Sequence, residues 1–291
     1  MPLADIVAGI RVGEVQRQAA SDSLAPVDVR VLLSFALGLS RVQLITQSER
    51  QLTAGEAERV RALLARRIAG EPVAYIVGER EFYGLAFRVT PDVLIPRPET
   101  ELLVELALER LPPGGRVLDL GTGSGAIAVA MAADTAHAKP DVRVTAVDAS
   151  EAALAVARGN AARLLPRQTV DFIHSDWYAA LPDGARFELI VSNPPYIEQN
   201  DAHLQQGDLR FEPPDALTDH ADGLSALRAI IAGAPRYLVP GGWLLMEHGY
   251  DQAEAVRALL VAAQFAQVQS WRDLAGLERV TGGLLQVQRA I

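Results

Sequence analysis

The alternation of strand-like and helix-like segments after residue 116 constrains the fold of this chain more than any other feature. Short apolar runs alternate there with longer amphipathic runs, and the connections are short. The predicted strands are 116–120, 142–148, 169–174, 187–192, 243–247, about 266–271 and 284–289, and the predicted helices lie near 124–133, 150–165, 222–238 and 250–263. Such alternation builds right-handed crossovers. We therefore predict an α/β fold with a seven-stranded, mostly parallel sheet, helices on both faces, and a final antiparallel hairpin that turns around residues 276–283.

The first 72 residues have a different character, because apolar residues recur there at helical spacing. Thr53 followed by Glu56 fits a capping box, in which each side chain bonds the backbone of the other at a helix start. That helix is predicted to end near Ile68, because Gly70 follows it. Residues 1–72 are thus predicted to form a small all-helical domain that serves for packing or for docking a partner.

A short linker of β character is expected next. The runs at 73–78 and 85–89 are rich in residues that favour strands, and turn residues separate them. We therefore predict a β-hairpin linker over residues 73–98 and a sheet domain over residues 99–291.

Composition and charge exclude several kinds of site. Of 291 residues, 49% are hydrophobic, which is ample for a packed core. There is no cysteine, so a thiolate nucleophile and a cysteine-ligated metal are excluded. The five histidines lack the HxxxH and HExxH spacings, and we predict no metal site.

The same properties bear on partners and location. A net charge of −9 is unusual for a protein that holds long nucleic acid, so a protein or small molecule is the favoured partner and no stable nucleic-acid binding is expected. No apolar run approaches the roughly 20 residues that span a bilayer, so no membrane partner is expected. The first residues do not resemble a secretory signal, which favours the cytoplasm. A monomer is expected.

A strand, a glycine-rich turn and a helix start follow one another at residues 117–127. Glycine lets the backbone turn sharply there and approach a ligand that a Cβ atom would block. The pattern alone is ambiguous, because Gly121, Gly123 and Ala126 also satisfy the dinucleotide fingerprint G-x-G-x-x-G/A.

Acidic residues at the strand ends narrow the choice of nucleoside ligand. Asp119 lies two residues before the first glycine, where a carboxylate suits the cationic amino-acid end of S-adenosylmethionine and would repel a pyrophosphate. Asp148 ends the second strand and can accept both ribose hydroxyls, as either cofactor requires. After the third strand, Asp176 is a candidate contact to the adenine edge, and Trp177 is either an aromatic wall or ordinary core. The candidate cofactor-binding residues are Asp119, Gly121, Thr122, Gly123, Ser124, Gly125, Asp148, Asp176, Trp177 and Asn193.

The fourth strand runs into Asn193-Pro194-Pro195-Tyr196, which favours methyl transfer to a planar amide or amino nitrogen. Two prolines fix φ and remove two backbone donors, which leaves carbonyl acceptors beside the Asn193 side-chain oxygen. Acceptors placed in this way hold both hydrogens of an –NH2 group and stabilise charge that appears only in the transition state. The catalytic candidates are Asn193, Pro194 and Tyr196, and the substrate-binding candidates are Asn193, Pro194, Pro195 and Tyr196. Tyr196 either contacts the substrate or only shapes the pocket.

Together these motifs resemble those of the class I, NPPY-type methyltransferases, which modify adenine N6, guanine N2 or glutamine N5. Within that group the chain is similar, over its whole length, to the peptide chain release factor glutamine methyltransferases. The closer resemblance rests on Leu94-Ile95-Pro96-Arg97-Pro98-Glu99-Thr100-Glu101, on Ser175-Asp176-Trp177, and on Phe211-Glu212-Pro213 followed by Ala216-Leu217.

The resemblance implies a Rossmann-like methyltransferase sheet, S-adenosylmethionine as cofactor and S-adenosylhomocysteine as product. The implied substrate is the glutamine of the Gly-Gly-Gln motif in class 1 release factors, methylated at N5, with residues 1–72 helping to dock that protein. Residues 197–221 form an unusually long connection and are a candidate substrate loop. Arg97 and Glu212 are expected near the mouth of the site.

Other interpretations remain open. An NPPY-type nucleic-acid amino methyltransferase is disfavoured by the net charge, and the ribosomal-protein glutamine methyltransferases continue differently after Pro96-Arg97. A nicotinamide-dependent oxidoreductase fits the glycine pattern but gives residues 193–196 no role. A catalytically silent binding module is disfavoured by the intact Asn193.

Overall fold

The structure of the chain, a computed structural model, describes residues 5–21, 24–139, 141–165 and 170–286. The chain forms two compact units, Met1–Glu79 and Arg80–Ile291. Within the described residues, no helix is both long and apolar enough to cross a membrane.

The first unit is helical, as predicted. Its helices are α1 (Val12–Ser21), α2 (Pro26–Leu37), α3 (Arg41–Thr46), α4 (Ala54–Ile68) and α5 (Val73–Val77). The capping box at Thr53 is confirmed, since the Glu56 amide donates to its hydroxyl and the Glu56 carboxylate accepts from its amide. The helices enclose a core to which α2 contributes Leu32 and Leu33 and α4 contributes Leu64.

The prediction of a strand at 73–78 is wrong, because residues 73–77 form the single-turn helix α5. Pro72 presets the backbone for a helix start, and Gly78, at φ 78°, ends the helix in the left-handed conformation. The side chains of Ala74, Tyr75 and Ile76 are all buried, which a half-buried strand could not achieve. The flanking residues and the burial thus override the β propensity of this run.

The β-hairpin begins where α5 ends. Its strands are β1 (Glu79–Phe82) and β2 (Leu85–Arg88), and they form a separate two-stranded sheet. Phe82 and Phe87 are fully buried in the core of the second unit, with their rings edge to face. The buried Asn160 accepts a hydrogen bond from the Arg88 amide and donates one to its carbonyl, which ties the hairpin to the second unit.

The second unit contains the predicted seven-stranded, mostly parallel sheet. Its strands are β3 (Arg116–Leu120), β4 (Arg143–Asp148), β5 (Val170–His174), β6 (Phe187–Ser192), β7 (Leu238–Glu247), β8 (Phe265–Arg272) and β9 (Glu278–Leu285). Their order is β5-β4-β3-β6-β7-β9-β8; the first five are parallel, and β9 runs antiparallel to both β7 and β8. The order reverses beside β3, which is where ligands bind in sheets of this type.

Helices cover both faces of this sheet. They are α6 (Glu101–Arg110), α7 (Ala126–Ala138), α8 (Glu151–Leu164), α9 (Pro214–Leu217), α10 (Ser225–Tyr237) and α11 (Ala253–Ala262). Side chains alternate along β3, so that Val117 packs in the core beneath α6 and α7 while Leu118 packs in the core beneath α10 and α11. The α/β architecture predicted from the sequence is confirmed.

The turn of the last hairpin lies at residues 273–277, not around 276–283 as predicted. Gly282 and Gly283 belong to β9 and have a packing role. A Cβ atom on Gly282 would lie 2.5 Å from the Leu244 carbonyl oxygen, and one on Gly283 would lie 2.9 Å from the Phe265 Cβ. The strand predicted at 284–289 therefore begins earlier, and its last residues, 287–289, lie outside the described residues.

Candidate active site

A cavity of about 510 Å³ opens at the carboxyl end of the parallel strands, beside the point where the strand order reverses. Among the predicted site residues that line it are Gly121, Thr122, Gly123, Ser124, Asp148, Asp176, Trp177, Asn193 and Pro195. The other predicted site residues, Asp119, Gly125, Pro194 and Tyr196, lie outside its lining. The cavity therefore unites residues from four strand ends that are distant in sequence.

The glycine-rich loop after β3 is shaped by its backbone. The amides of Gly121 and Thr122 both donate to the Val147 carbonyl at 2.9 Å, which holds the loop against β4. Gly121 and Gly123 have φ values of 72° and 55°, a left-handed conformation that glycine adopts readily and other residues rarely do. A Cβ atom on Gly123 would meet no protein atom within 4 Å, so the backbone there is open to an approaching ligand.

Gly125 has a packing role instead. It precedes α7 at φ 82°, and a Cβ atom there would lie 3.1 Å from the Ala157 Cβ of α8. Glycine at this position lets α7 and α8 approach closely, which keeps the start of α7 at the edge of the cavity.

Asp119 is fully buried at the end of β3, beneath the loop. Its Oδ2 accepts a hydrogen bond from the Thr122 hydroxyl at 2.6 Å, and its Oδ1 has no hydrogen-bond partner in the described structure. Burial raises the pKa of Asp119 from 3.8 to about 7, although the Thr122 hydroxyl opposes this shift. The carboxyl group thus retains an unused acceptor under a loop that faces the cavity.

Asp148, at the end of β4, holds the loop from the other side. Its Oδ2 accepts from the Gly123 amide at 2.8 Å and its Oδ1 from the Ser150 amide at 2.9 Å. Burial raises the pKa of Asp148, and these amides oppose the shift. Each carboxylate oxygen has a further lone pair, so Asp148 can accept two more donors from a ligand.

The segment after β5 forms one wall of the cavity. Trp177 has a φ of 44°, uncommon for a bulky residue, and its ring lies over Gly121, where a Cβ atom would be 3.5 Å from the indole. The Ser175 hydroxyl donates to the Trp177 carbonyl at 2.9 Å and accepts from the Ala180 amide at 2.9 Å, which stabilises this turn. Such strain in a supported turn is typical of a functional site.

The Asn193 side chain is oriented by Thr100. Its Nδ2 donates to the Thr100 hydroxyl oxygen at 3.2 Å, so that Oδ1 is the amide atom left available to a ligand in the cavity. Thr100 is 4% exposed and stands at the start of α6, yet its hydroxyl does not cap that helix. The adjoining Ser192 hydroxyl donates to the Leu120 carbonyl at 2.7 Å and thereby fixes the end of β6 against β3.

Tyr196 supports the turn from behind. Its hydroxyl donates to Glu247 Oε1 at 3.3 Å, and its carbonyl oxygen accepts from Gln252 Nε2 at 2.9 Å. Gly223, at φ 77°, packs against the same carbonyl, where a Cβ atom would lie 2.6 Å from the oxygen. Burial and the neighbouring Glu247 carboxylate raise the pKa of Tyr196, so the phenol stays protonated and remains a donor.

The long connection at 197–221 borders the cavity through Pro213, Asp215 and Ala216. Glu212, whose side chain is fully buried, accepts from Arg97 at 2.5 Å and from the Ile95 amide at 3.0 Å. Arg97 itself lines the cavity. Arg97 thus lies at the cavity, as expected, whereas Glu212 does not line it; the ion pair between them fastens this connection to the segment before α6.

Sequence reasoning missed the polar residues behind the turn at residues 193–196. Thr100 was recognised only as part of a sequence motif, and Gln252 lies in a segment without a recognisable motif. Glu247 ends a strand as Asp148 does, and Asp119 lies one residue before the end of its strand; this shared position was the available signal. Within the described chain, no group of three or more histidine, aspartate or glutamate side chains could hold a metal ion.

Comparison with known proteins shows the family to which the chain belongs. A release factor glutamine methyltransferase of Burkholderia pseudomallei is 56% identical to this chain, covering 94% of it and 95% of the relative. A protein of the same name from Bordetella pertussis is 55% identical and covers 91% of this chain and 97% of its own length. The chain belongs to the release factor glutamine methyltransferase family. The resemblance predicted from the sequence motifs is confirmed.

Family models agree with this assignment. The PrmC N-terminal domain matches residues 13–78, and the methyltransferase small domain matches residues 98–209. A methyltransferase structure from Pyrococcus furiosus superposes with a TM-score of 0.53 at 17% identity, covering 77% of this chain and 98% of that one, which shows a shared fold. The chain is therefore a methyltransferase of this family.

Proposed function

We propose that this chain transfers a methyl group from S-adenosylmethionine to N5 of a glutamine side chain, the glutamine of the Gly-Gly-Gln motif in class 1 peptide chain release factors. The observation that carries the proposal is the orientation of Asn193. Its Nδ2 is engaged by Thr100, so its Oδ1 is presented to the cavity as an acceptor for an amide –NH2 group.

The residues around the cavity fit this cofactor. Asp119 Oδ1 is a buried, unpartnered acceptor suited to the cationic amino-acid end, and Asp148 retains lone pairs for two ribose hydroxyls. Trp177 offers an aromatic wall for the adenine, and the cavity volume of about 510 Å³ lies within the usual range for such ligands. Asp176 lines the same cavity and is proposed to bond the adenine edge. When bound, S-adenosylmethionine supplies an electrophilic methyl group on sulfonium.

On the substrate side, this chain supplies acceptors and rigidity. Asn193 Oδ1 and the carbonyl oxygen of Pro194 are proposed to hold the two hydrogens of the amide nitrogen. Holding both hydrogens weakens the conjugation of the nitrogen with its carbonyl and directs its lone pair toward the methyl donor. These acceptors stabilise the positive charge that develops on nitrogen, so they act most strongly in the transition state.

The remaining residues of the turn have supporting roles in this proposal. Pro195 lines the cavity and walls the substrate channel, while the Tyr196 hydroxyl is engaged with Glu247 and shapes the turn from behind. No general base is needed before attack, because the nitrogen becomes acidic as it is methylated and then releases one proton.

A protein substrate suits the acidic character of the chain, whose net charge is −9. Residues 197–221 are proposed as the substrate loop, because Pro213 and Ala216 border the cavity beside Asn193. Residues 1–72 are proposed to help dock the release factor, with residues 73–98 as linker and 99–291 as the catalytic domain. The proposed location is the cytoplasm, where translation takes place.

The direct test is to incubate the protein with radiolabelled S-adenosylmethionine and either a class 1 release factor or nucleic acid. We expect label in the release factor at the Gly-Gly-Gln glutamine only. Asn193→Ala should lower kcat by about 100-fold or more, the usual effect of removing one preorganised transition-state contact. Label in nucleic acid alone would refute the proposed substrate, and label in release factor that survives Asn193→Ala would refute the proposed chemistry.

A further inference from the structure

The chain that follows the turn at residues 193–196 is paired with the end of the long connection. The Ile197 amide donates to the Leu217 carbonyl at 3.0 Å, and the Gln199 amide donates to the Ala221 carbonyl at 3.1 Å. The turn is therefore held at both ends, by β6 before it and by this backbone pairing after it.

The Gln252 side chain joins three backbone segments at the same place. Its Nε2 donates to the Tyr196 carbonyl at 2.9 Å and to the Gly223 carbonyl at 3.1 Å. Its Oε1 accepts from the Gly249 amide at 2.8 Å. These partners fix the direction of the side-chain amide, because a carbonyl oxygen only accepts and a backbone amide only donates. Gln252 thus links the last residue of the turn to the loop that contains Gly223.

That loop, residues 219–225, packs tightly against the turn. A Cβ atom on Gly223 would lie 2.6 Å from the Tyr196 carbonyl oxygen and 3.3 Å from the Glu198 amide nitrogen. Gly223 has a φ of 77° and His220 a φ of 56°, so two residues of the loop are left-handed. For histidine this conformation is uncommon and persists only where the surrounding structure enforces it.

The Asp219 carboxylate enforces the shape of the loop. Its Oδ1 accepts from the amides of Ala221 and Gly223, both at 2.9 Å. Its Oδ2 accepts from the Ser225 amide at 2.7 Å and from the Ser225 hydroxyl at 2.6 Å. Four donors thus use the full acceptor capacity of one ionised aspartate. Partial burial opposes the ionised form, but these donors outweigh it and hold the pKa of Asp219 below its usual value.

We propose that Asp219 is a positioning residue for methyl transfer, which acts through its own loop and through Gln252 on the carbonyl group of Tyr196. By fixing that carbonyl group, it keeps the two proposed acceptors of the amide nitrogen, Asn193 Oδ1 and the Pro194 carbonyl oxygen, in place. This inference rests on the proposed function. Asp219 does not line the catalytic cavity, so in this proposal it touches neither substrate nor cofactor.

The composition of the turn explains why its far end matters to the acceptors. Pro194 and Pro195 have φ fixed by their rings, so few rotations remain to absorb a displacement of Tyr196. The displacement is therefore passed back toward Asn193. A shift of about 1 Å in a positioning group can lower a rate by about 100-fold.

The test measures kcat with the release factor and the affinity for S-adenosylmethionine in two variants of Asp219. Asp219→Ala removes all four acceptor contacts and should lower kcat by about tenfold to 100-fold. Asp219→Asn keeps an oxygen acceptor for the amides of Ala221 and Gly223 and should restore most of kcat. In both variants the cofactor affinity, measured by calorimetry, should be unchanged. A parallel loss of cofactor affinity and kcat in Asp219→Ala would indicate general disruption of the fold and overturns the proposal.

The matched control is Asp222→Ala. This acid belongs to the same loop, accepts from the Leu224 amide at 3.1 Å and pairs with Arg228, and its side chain is 53% exposed. These contacts do not involve the turn, so kcat should remain at the wild-type value. A loss in Asp222→Ala as large as in Asp219→Ala, or a wild-type kcat in Asp219→Ala, overturns the proposal.

A double-mutant cycle with Gln252→Ala gives a readout that a merely structural role would not produce. Gln252→Ala removes the link between Gly223 and Tyr196 and should also lower kcat. If Asp219 acts through that link, the double variant should lose clearly less than the product of the two single losses, because the contacts form one network. Losses that multiply would show two independent effects and overturn the proposal.

The failure of this inference is distinguishable from failure of the proposed function. If wild type methylates the release factor and Asp219→Ala does so at the wild-type rate, only the inference fails. If wild type methylates only nucleic acid, the proposed substrate is wrong. The same variants measured with nucleic acid then decide the inference, because the turn would hold the acceptors for any –NH2 group. If wild type methylates neither, both fail.

Discussion

The two ends of the candidate active site are held in different ways. At the proposed cofactor end, the glycine-rich loop is held by short-range and backbone contacts. Thr122 reaches Asp119 three residues away, and the Gly123 amide reaches Asp148 at a separation of 25 residues. These contacts involve only two neighbouring strands and the loop and helix that connect them.

At the proposed substrate end, the turn at Asn193 is held by side chains from distant segments. Thr100 lies 93 residues before Asn193, while Glu247 and Gln252 lie 51 and 56 residues after Tyr196. The turn therefore depends on the completed sheet and on packing between β6, β7 and the start of α6. It follows that changes at the cofactor end should alter cofactor affinity, whereas changes behind the turn should alter the rate of methyl transfer.

The strongest test of this difference is Gly223→Ala. A Cβ atom there would lie 2.6 Å from the Tyr196 carbonyl oxygen and 2.9 Å from Gln252 Nε2, so the turn must shift. We expect kcat to fall by about 100-fold, as small misplacements of positioning groups cost in other enzymes, with little change in cofactor affinity. Radiolabel transfer and calorimetry measure the two quantities.

Gly184→Ala is the matched control for that variant. Gly184 also has a positive φ, 79°, but a Cβ atom there would meet nothing within 4 Å, and Gly184 lies outside both the cavity lining and the connection at 197–221. Both variants carry the backbone strain of alanine at positive φ, about 1–2 kcal/mol. If Gly184→Ala slows methyl transfer as much as Gly223→Ala, strain rather than displacement of the turn explains the loss.

The second test is Asp148→Ala at the cofactor end. Loss of the acceptors for the ribose hydroxyls should weaken binding of S-adenosylmethionine by about 1–3 kcal/mol, the usual value for hydrogen bonds to a charged group. The exposed Asp171 on β5 provides the control, since Asp171→Ala removes an acid from the neighbouring strand outside the cavity. Unchanged affinity by calorimetry in Asp148→Ala would place the ribose elsewhere.

The smallest expected effect is a pH dependence of cofactor binding that arises from Asp119. Its pKa in the free protein is about 7, so it is largely protonated at pH 6. A cation bound beside Asp119 favours the ionised form of its carboxyl group, so cofactor binding below pH 7 releases a proton. The affinity for the cofactor therefore rises by less than about tenfold per pH unit toward pH 8. Calorimetry in two buffers with different ionisation enthalpies measures the released proton.

The Asp119→Asn variant tests whether this pH dependence of cofactor binding arises from Asp119. It should bind the cofactor more weakly at pH 8 and release no proton from this position at pH 6. Persistence of the same proton release in Asp119→Asn would assign it to another group, and the cofactor's cationic end would then not lie beside Asp119.

The errors in the sequence prediction have a common physical origin. Residues 73–77 have strand-forming composition but form a helical turn, because Pro72 and Gly78 bound them and the interior buries Ala74, Tyr75 and Ile76 together. Gly282 and Gly283 were read as a turn, but they lie in a strand where neighbouring atoms leave no room for a side chain. In both cases the environment, which composition does not reveal, outweighed local propensity.

The sequence by itself determined the features that depend on local chemistry and on the periodicity of apolar residues. Strand and helix periods predicted the parallel sheet, and the glycine-rich loop and residues 193–196 marked the two ends of the site. Only the tertiary structure decided which of these residues reach the cavity and what orients them. Gly125 lets two helices approach closely instead of lining the cavity, Tyr196 faces Glu247, and Thr100 holds Asn193. Those contacts join residues far apart in the chain, and no local pattern records which distant side chains a fold will bring together.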